Sequence, residues 1–599
     1  MLTQGSPPAD PGHVATPADA PDAPLDAAVE ADRIPLAASQ PGLLIAPEAA
    51  TQIDRAAPAR SPRHAEIARL TALATASFDK QDYAAATDLL MQILRLDPDS
   101  PPAHGNLAVA LWRTKHPARA EALCRRALAL NPEYVAAHRL LPELLRERRD
   151  VEGALAAYDR LLQLDPDNVI ALNNAGMMLR TSGRSEEADA RFTRALELKP
   201  GDPLIRFNQL ASRRDDDYIE EAIQCCRRSL ERTPDSADVL TNLGVTLHFA
   251  GRFDEATACV ERAVALDPEH HQAHFNLAAL LLMRGDYARG WREYEHRWHV
   301  AEQKKTEYRQ PQWDGEDLAG KTILLQSEQG FGDSIQCMRY VPAIAARAGR
   351  VLLRIERGLV RLAASLPSNP VILPPNAAIP PFDVWCPMLS LPRILGTLPH
   401  TIPADIPYLH PRAALAERWQ GRLAGLRGLR VGLVWGGNEK HGNDFRRSIP
   451  FRLLAPILAT AGVSFVSLQV GTRTADLAAV PGDAIIDLAP ELRDFAETAG
   501  ALANLDLVIA VDTAVAHVAG AMGKPVWLML PLCPDWRWLL ARDGDSPWYP
   551  SLRLYRQHAL GDWPGVIARV TADLGKLAAA HADAATAQAA APPPRPSPT

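Results

Sequence analysis

The sequence predicts a multidomain protein in which an all-α repeat solenoid precedes two α/β domains of the doubly wound type, with disordered termini. Three observations predict this architecture. Prolines recur at a fixed spacing in the first half, short apolar runs alternate with helical stretches in the second half, and both ends are rich in Ala and Pro. At 599 residues, 47% of them hydrophobic and 23% charged, the chain is long enough for several globular domains.

Both ends of the chain are predicted to be disordered. Residues 1–62 and 577–599 are dominated by Ala, Pro and Asp and show no sustained hydrophobic periodicity. Such segments bury too little apolar surface to offset the conformational entropy that ordering removes. We therefore assign structure only to the residues between them.

A repeat of 34 residues organises the first half of the chain. The prolines that carry this spacing are Pro98, Pro132, Pro166, Pro200, Pro234 and Pro268. An alanine stands twelve residues before each of them, namely Ala86, Ala120, Ala154, Ala188, Ala222 and Ala256. Six matches in six repeats indicate pairs of helices that approach closely at the alanine and end at the proline.

This pattern resembles the tetratricopeptide repeat, which implies a superhelix of six to seven helix pairs over residues 63–300. The resemblance also implies a concave face suited to an extended peptide of a protein partner. Pro142 occupies the position of a helix-contact glycine and is expected to shorten or kink its helix. Adjacent Cys225 and Cys226 are interpreted as packing thiols, in keeping with a cytoplasmic protein.

A seventh helix pair is predicted to begin near Ala273, with Gly290 in place of the repeat's alanine. Its aromatic residues Trp291, Tyr294 and Trp298 have two interpretations. They either seal the solenoid against the following domain or fill the last repeat.

The second half is predicted to contain two doubly wound domains, over residues 301–411 and 412–576, joined by a crossing within Ala404–Leu429. Short apolar runs alternate there with helical segments, the βαβ pattern of parallel sheets. The predicted strands are Thr322–Gln326, Val351–Ile355, Arg430–Trp435, Ser464–Gln469, Asp506–Val511 and Val526–Leu530.

Three loops that follow predicted strands carry candidate site residues, since ligands bind at the carboxyl ends of strands in such sheets. The first contains Gly330-Phe331-Gly332-Asp333, where Asp333 is either a base or a helix cap. The second runs from Gly436 through Asn438, Lys440, Arg446 and Arg447, and is either a diphosphate site or a solvated basic loop.

The third loop, Asp512-Thr513 with His517, opens a helix whose start favours phosphate oxygens, although either residue is equally suited to simple capping. The Asp543-x-Asp545 pair looks like a metal-binding motif, but no strand precedes it. We therefore expect no metal.

Together these loops resemble glycosyltransferase family 9, the heptosyltransferases, and more closely tetratricopeptide proteins fused to such a module. Two further segments carry the same resemblance, Pro534-Asp535-Trp536-Arg537-Trp538 and Ser546-Pro547-Trp548-Tyr549-Pro550. The resemblance covers residues 321–557 and implies a GT-B fold of two Rossmann-like domains.

By the same resemblance, Asp333 is the general base, Lys440 meets the donor phosphate, and Asp512 grips the donor. Gly332, Gly436, Asn438, Arg447, Thr513 and His517 complete the predicted donor site.

The predicted activity is inverting, metal-independent transfer of a sugar from a nucleotide-sugar, without a cofactor, to a protein acceptor such as a flagellin. The first half-domain is shorter than a heptosyltransferase acceptor domain, and the solenoid is expected to supply the missing surface. One alternative is a scaffold with an inactive transferase module, and another is a heptosyltransferase that acts on lipopolysaccharide.

Charge and hydropathy exclude other classes of function. The net charge of −7 gives no basic footprint for nucleic acid. No run of eighteen apolar residues and no signal peptide is found, so we expect no membrane span and a cytoplasmic location.

Overall fold

The structure is a computed structural model that describes residues 62–590, except 149, 200–201, 203–204, 207, 210–218, 301–307, 440–442 and 482–483. It confirms the predicted fold class, a helical repeat region followed by parallel sheets that alternate with helices. The N-terminal tail, Pro200 and Lys440 lie outside the described residues. Within the described part, none of the helices combines the length and hydropathy needed to cross a membrane.

Antiparallel helix pairs build the solenoid. Its helices are α1 (Pro62–Asp79), α2 (Tyr83–Leu96), α3 (Pro101–Arg113), α4 (Pro117–Leu130), α5 (Val135–Glu147), α6 (Val151–Leu164), α7 (Val169–Thr181), α8 (Ser185–Leu198), α9 (Ile219–Arg232), α10 (Ala237–Phe249), α11 (Phe253–Leu266), α12 (His271–Arg284) and α13 (Tyr287–Tyr294). Polar side chains begin many of them: Ser100, Asn168 and Ser236 accept bonds from the third residue of the helix that follows.

Small residues allow the helices of each pair to approach closely. Five of the six repeat alanines are fully buried and Ala222 is 5% exposed. A Cβ added at Gly290 would lie 2.7 Å from Leu282, and one at Gly244 would lie 2.3 Å from Val260. The expected shortening at Pro142 is wrong, because α5 runs for 13 residues, the same length as α3, α7 and α10. Pro142 removes one backbone donor, and the packing of the repeat on both sides outweighs that loss.

Two parallel sheets follow the solenoid. The first has the order β3-β2-β1-β4, and the second has the order β10-β9-β8-β5-β6-β7. The strands are β1 (Thr322–Gln326), β2 (Arg350–Arg354), β3 (Val371–Leu373), β4 (Val384–Pro387), β5 (Leu429–Val434), β6 (Val463–Ser467), β7 (Ile486–Asp487), β8 (Leu507–Val511), β9 (Val526–Leu530) and β10 (Leu552–Arg556). All six predicted strands are present, whereas β3, β4, β7 and β10 were not predicted.

Helices connect these strands in the βαβ manner. They are α14 (Phe331–Cys337), α15 (Val341–Ala345), α16 (Val360–Ala363), α17 (Leu391–Ile394), α18 (Ala413–Arg422), α19 (Asp444–Arg447), α20 (Ala455–Leu458), α21 (Phe495–Ala503), α22 (Ala514–Ala521) and α23 (Trp563–Ala590). The last strand of the first sheet ends at Pro387 and the first strand of the second sheet begins at Leu429, so the chain passes between the sheets in the span that contains the predicted crossing.

The last helix corrects the predicted C-terminal tail. We expected disorder from residue 577, but α23 continues to Ala590. Alanine, which dominates this stretch, has the highest intrinsic helix propensity, and α23 is anchored by buried Val570 and Leu574. Residues 591–599 lie outside the described part.

The end of the solenoid and both sheets share one hydrophobic core. Trp291 packs edge-on against Trp536 at 5.0 Å, and the indole of Trp548 donates to the hydroxyl of Tyr287 at 3.1 Å. These contacts favour the interpretation in which the aromatic residues of the last repeat seal the solenoid against the next domain. A buried ion pair, Arg297 with Glu328 at 2.7 Å, strengthens the same joint.

Candidate functional site

One cavity of about 480 Å³ lies between the two sheets and against the end of the solenoid. Its lining includes parts of all three predicted loops: Gly330 to Asp333 after β1, Gly436 to Glu439 after β5, and Asp512 to His517 after β8. β5 and β8 are neighbours in the second sheet, so the carboxyl ends of these parallel strands place the second and third loops side by side. The first loop reaches the cavity from the other sheet. The side chains of Asp543 and Asp545 are not among its lining residues.

Asp333 faces this cavity from the first sheet and is 5% exposed. Its Oδ2 accepts a bond from the backbone N–H of Gly330 at 2.9 Å, and its Oδ1 is ion-paired with Arg537. The bond to Gly330 is the helix-capping interaction that the sequence left open as an alternative. Asp333 is thus both a cap and a cavity residue, with both oxygens engaged.

The loop after β5 folds over two arginines. Arg447 and Arg473 both bind the carboxylate of Asp444, which is 2% exposed. A Cβ added at Gly436 would lie 2.2 Å from Arg473, and one at Gly437 would lie 2.6 Å from Arg447. Glycine is therefore required at both positions for the guanidinium groups to lie against the backbone.

Asn438 lines the same part of the cavity, whereas Lys440 lies outside the described residues. Arg473 also lies 3.7 Å from the carboxylate of Glu439, which lines the cavity as well. Arg447 and Arg473 present planar guanidinium groups, the donors that bind phosphate oxygens in a bidentate manner.

Helix α22 begins at the opposite wall of the cavity. Thr513 is its N-cap residue, yet its side chain makes no capping bond and its buried Oγ1 has no hydrogen-bond partner. The indole of Trp538 donates to Asp512 at 2.8 Å, and His517 Nε2 lies 3.7 Å from the other Asp512 oxygen. The unbonded hydroxyl and the first backbone N–H groups of the helix suit an oxygen-rich ligand.

Gly332 joins the first loop to the third. A Cβ at Gly332 would lie 2.9 Å from the ring of His517, so the two loops touch only because residue 332 lacks a side chain. His517 is 4% exposed, and its Nδ1 lies 2.9 Å from the hydroxyl of Tyr549. The carboxylate of the first sheet and the helix start of the second sheet therefore belong to one site.

The solenoid supplies a third wall, through residues to which the sequence analysis assigned no part in the site. The residues concerned are His248 from α10, Phe275, Ala279 and Met283 from α12, and Tyr294 from α13. Burial, followed by the nearby charge of Arg446, lowers the pKa of His248 to about 4, so this ring is neutral near pH 7. The solenoid wall therefore contributes mainly apolar and uncharged surface.

The sequence analysis assigned no role to two arginines that line the cavity, Arg473 and Arg537, or to Asp444, which binds Arg473. Arg473 lies in a 3-10 helix, Thr472–Ala479, with no motif around it. Arg537 occurs in a segment noted only as a family mark, and it binds both Asp333 and Asp535. Clustered tryptophans around an arginine were the available signal for Arg537, and none was available for Arg473.

A larger cavity of about 950 Å³ lies on the other side of Arg473 and shares Pro531 and Cys533 with the first. Its remaining lining comes from residues 445–452, 475–479 and 557–563. Of the three predicted loops, the one after β5 reaches this larger cavity, through residues 445–450, and the other two do not line it. We therefore place the chemistry in the smaller cavity, where carboxylate, arginines and helix start meet.

Comparisons with known proteins agree with this organisation. Residues 77–144, 143–203 and 241–294 match tetratricopeptide repeat families, and residues 451–527 match glycosyltransferase family 9 (heptosyltransferase). The chain is 29% identical over 333 residues to protein FlbA of Caulobacter vibrioides, a match that covers 51% of this chain. The matched region spans 55% of the length of FlbA, about half of that relative.

Solved structures resemble parts of the chain. A tetratricopeptide repeat protein from Parabacteroides merdae aligns with 40% of this chain and 95% of its own, at 17% identity and a TM-score of 0.37. PilF of Pseudomonas aeruginosa aligns with 35% of this chain and 95% of its own, at 20% identity and a TM-score of 0.31. The family matches show that the chain joins tetratricopeptide repeats to a glycosyltransferase family 9 domain.

Proposed function

We propose that this protein is an inverting glycosyltransferase that moves a sugar from a nucleotide-sugar to a protein held by its solenoid. The supporting observation is the cavity between the sheets. There a carboxylate on one side faces two arginines and a helix start on the other, with the solenoid as the third wall. The match to glycosyltransferase family 9 supports the same reaction class.

The donor's diphosphate is proposed to bind between the arginine pair and the start of α22. Arg447 and Arg473 present fixed guanidinium groups, which bind phosphate oxygens in a bidentate manner. The Thr513 hydroxyl and the backbone N–H groups of α22 supply neutral donors. These groups stabilise the negative charge that develops on the departing nucleoside diphosphate, so the proposed reaction needs no metal ion.

Asp333 is proposed to take the proton from the acceptor hydroxyl. Its Oδ1 is ion-paired with Arg537, which also lines the cavity. A diphosphate competes with Asp333 for that guanidinium, because charge-assisted bonds to phosphate are at least as strong as those to a carboxylate. Binding of the donor would thereby release Asp333 for the acceptor, and attack from the far side of the sugar inverts the anomeric carbon.

The acceptor is proposed to reach the cavity along the solenoid. Phe275, Ala279 and Met283 belong to a repeat helix and also line the cavity, so a peptide bound by the repeats leads directly to the reacting groups. A protein acceptor such as a flagellin fits this path.

The test is sugar transfer by the purified full chain. A panel of radiolabelled nucleotide-sugars is supplied together with an extract of host cells that lack the gene, and labelled proteins are identified by mass spectrometry. Asp333→Asn should reduce transfer by roughly 10²–10⁴-fold. It should not weaken the binding of UDP, GDP or ADP, because the carboxylate that competes with the diphosphate for Arg537 is neutralised. Arg473→Ala should instead weaken binding of the nucleoside diphosphate that the wild type prefers.

Asp545→Asn is the matched control, because Asp545 is an exposed carboxylate that is ion-paired with Arg542 and does not line the cavity. It should transfer sugar at the wild-type rate. Full activity of Asp333→Asn would eliminate that residue as the base.

A scaffold with an inactive transferase module remains the second candidate. The observation that favours it is that both oxygens of Asp333 already accept bonds, one from Gly330 and one from Arg537. Failure of the folded wild type to transfer sugar from any donor, together with stable binding of protein partners, would support the scaffold over the enzyme.

A further inference from the structure

Four histidines and a glutamate meet at the last helix pair of the solenoid, and none of the five lines the cavity. His271 and His274 lie on α12, His296 and His299 on the 3-10 helix Glu295–His299, and Glu293 on α13. The rings of His274 and His296 stack at 3.9 Å, and those of His271 and His299 stack at 4.2 Å. His271 Nδ1 and His296 Nδ1 are 3.0 Å apart.

The orientation of His274 is fixed by the repeat itself. Its Nε2 bonds the carbonyl oxygen of Pro268 at 2.9 Å, so this nitrogen carries the proton and Nδ1 offers a lone pair in the neutral ring. His104 and His138 make the same bond to Pro98 and Pro132 in earlier repeats.

In the last repeat, Nδ1 of His274 also meets the carboxylate of Glu293 at 2.5 Å. Two acceptors at this distance repel each other unless a cation lies between them. A proton shared by the two atoms satisfies this contact, and a metal ion in place of that proton would hold the two atoms about 3.4 Å apart.

We propose that His274, Glu293 and His296 bind a divalent transition-metal ion of the zinc class, with His271 as the fourth ligand. The ligand atoms of the first three lie within 4.8 Å of one another. Adjacent ligands of one tetrahedral zinc ion are about 3.4 Å apart, so modest side-chain rotation brings them to bonding distance. Imidazole and carboxylate together suit zinc, cobalt or nickel.

The surroundings of the ligands suit such a site. The bond from His274 to the Pro268 carbonyl is the kind of outer contact that orients metal-binding imidazoles. His299 is exposed, which leaves a path for the ion to enter.

The ion would connect α12 to the segment that follows α13. Phe275 and Tyr294, which line the cavity, are sequence neighbours of His274 and Glu293. The metal therefore holds the solenoid wall of the cavity in place and takes no part in the proposed sugar transfer. This inference does not depend on the proposed function.

The test uses the full chain without an affinity tag, stripped with a chelator and titrated with Zn²⁺ by calorimetry. One ion should bind per chain and raise the midpoint of thermal unfolding. His274→Gln keeps a donor for the Pro268 carbonyl but removes the Nδ1 ligand, and it should weaken binding by about 10–100-fold or more and abolish the thermal shift.

His138→Gln is the matched control, because His138 makes the same carbonyl bond in an earlier repeat. It should bind Zn²⁺ as the wild type does. Glu293→Gln provides a second ligand variant if His274→Gln fails to fold. The proposal is overturned if the folded wild type takes up no Zn²⁺, or if both ligand variants bind it with wild-type affinity.

Discussion

Asp444 is the residue that organises the basic side of the cavity. Its carboxylate binds Arg447 and Arg473 and also accepts a bond from the hydroxyl of Ser448 at 2.9 Å. Two neighbouring guanidinium groups repel each other, and the buried carboxylate offsets that repulsion while it fixes their direction. Preorganisation of this kind lowers the cost of binding a diphosphate, because the arginines do not have to be ordered at that moment.

Glu356 is a buried carboxyl group beside the first loop. Ser334, the residue after Asp333, donates to its Oε1 at 3.1 Å, and its buried Oε2 has no hydrogen-bond partner. Burial raises the pKa of Glu356 to about 7, against weaker opposing effects of its own backbone N–H, Ser334 and Ser327. The folded protein therefore retains a proton on Glu356 that the unfolded chain has already released.

We predict that Glu356→Gln increases stability at alkaline pH. In the wild type, the neutral form of Glu356 stabilises the folded state relative to the charged form, because burial of the charge is unfavourable. This stabilisation is lost as the pH rises from the unfolded pKa of 4.5 to the folded pKa of about 7. Gln stays neutral, so its advantage over the wild type should grow by about 1–3 kcal/mol between pH 5 and pH 8. Urea denaturation at both pH values measures the difference.

Glu152→Gln is the control for this comparison, since the side chain of Glu152 is 82% exposed. It should show no such dependence on pH. An equal advantage of Glu356→Gln at both pH values would mean that Glu356 is ionised in the folded protein.

Helix α12 packs into the solenoid core with one face and lines the cavity with another. Ala273, Leu277, Leu280 and Leu281 are buried in the core of the repeats, and Phe275, Ala279 and Met283 line the cavity at a spacing of four residues. A helical period of 3.6 residues places these two sets on different sides of the helix. One element thus both completes the solenoid and forms the wall of the proposed active site.

We predict that Ala279→Phe obstructs the acceptor path and leaves the donor site intact. Ala279 is partly exposed in the cavity wall, so a phenyl ring there projects into the cavity without disturbing the buried face of α12. The KM for the protein acceptor should rise on the order of 10-fold or more, with nucleoside diphosphate binding unchanged. Steady-state transfer assays and calorimetry measure the two quantities.

Ala156→Phe is the matched control, because Ala156 is exposed on α6, far along the solenoid. It should behave as the wild type. Unchanged acceptor kinetics in Ala279→Phe would show that the acceptor does not pass along α12.

At the level of elements, the sequence predicted the helices better than the strands. Each repeat has an alanine where its two helices touch and a proline where the second helix ends. Because this pattern recurs along the chain, it predicts the helices in spite of an exception such as Pro142. The missed strands β3 and β7 have three and two residues, too few to show a pattern. Strand β4 ends on Pro387, and β10 carries Arg553 and Arg556 among its apolar residues.

The packing of the domains against one another explains which site residues could not be predicted from the sequence. Gly436 and Asp512 follow β5 and β8, which are neighbours in one parallel sheet, so the convergence of their loops was predictable from the strands. The approach of Asp333 from the other sheet was predicted only by the resemblance to a two-domain glycosyltransferase. Arg537 reaches Asp333 across 204 positions of the chain, and α12 reaches the cavity because the solenoid packs against the second sheet. Contacts of this kind depend on the docking of domains, for which a single sequence carries no local signal.

The shared core limits how the protein can be divided. Tyr287 and Trp291 of the solenoid pack against Trp548 and Trp536 of the transferase module, and all four are buried. Aromatic side chains of this size bury roughly 150–250 Å² each. Complete removal of the solenoid would expose this surface and cause aggregation, so such a deletion cannot separate acceptor binding from folding.

We predict that removal of residues 1–132 does separate them. This deletion takes away α1 to α4 and keeps α5 to α13, including the cavity wall and the aromatic joint. The truncated protein should remain soluble and bind nucleoside diphosphate as the full chain does, because repeats contact mainly their neighbours. Modification of the protein acceptor should fall at least about tenfold, since the extended binding surface is shortened. If the truncated protein modifies the protein acceptor at the full-chain rate, acceptor binding is restricted to the last repeats. If the truncated protein and the full chain are equally active on a glycolipid and neither modifies a protein, the substrate is lipopolysaccharide and the solenoid has no role in its recognition.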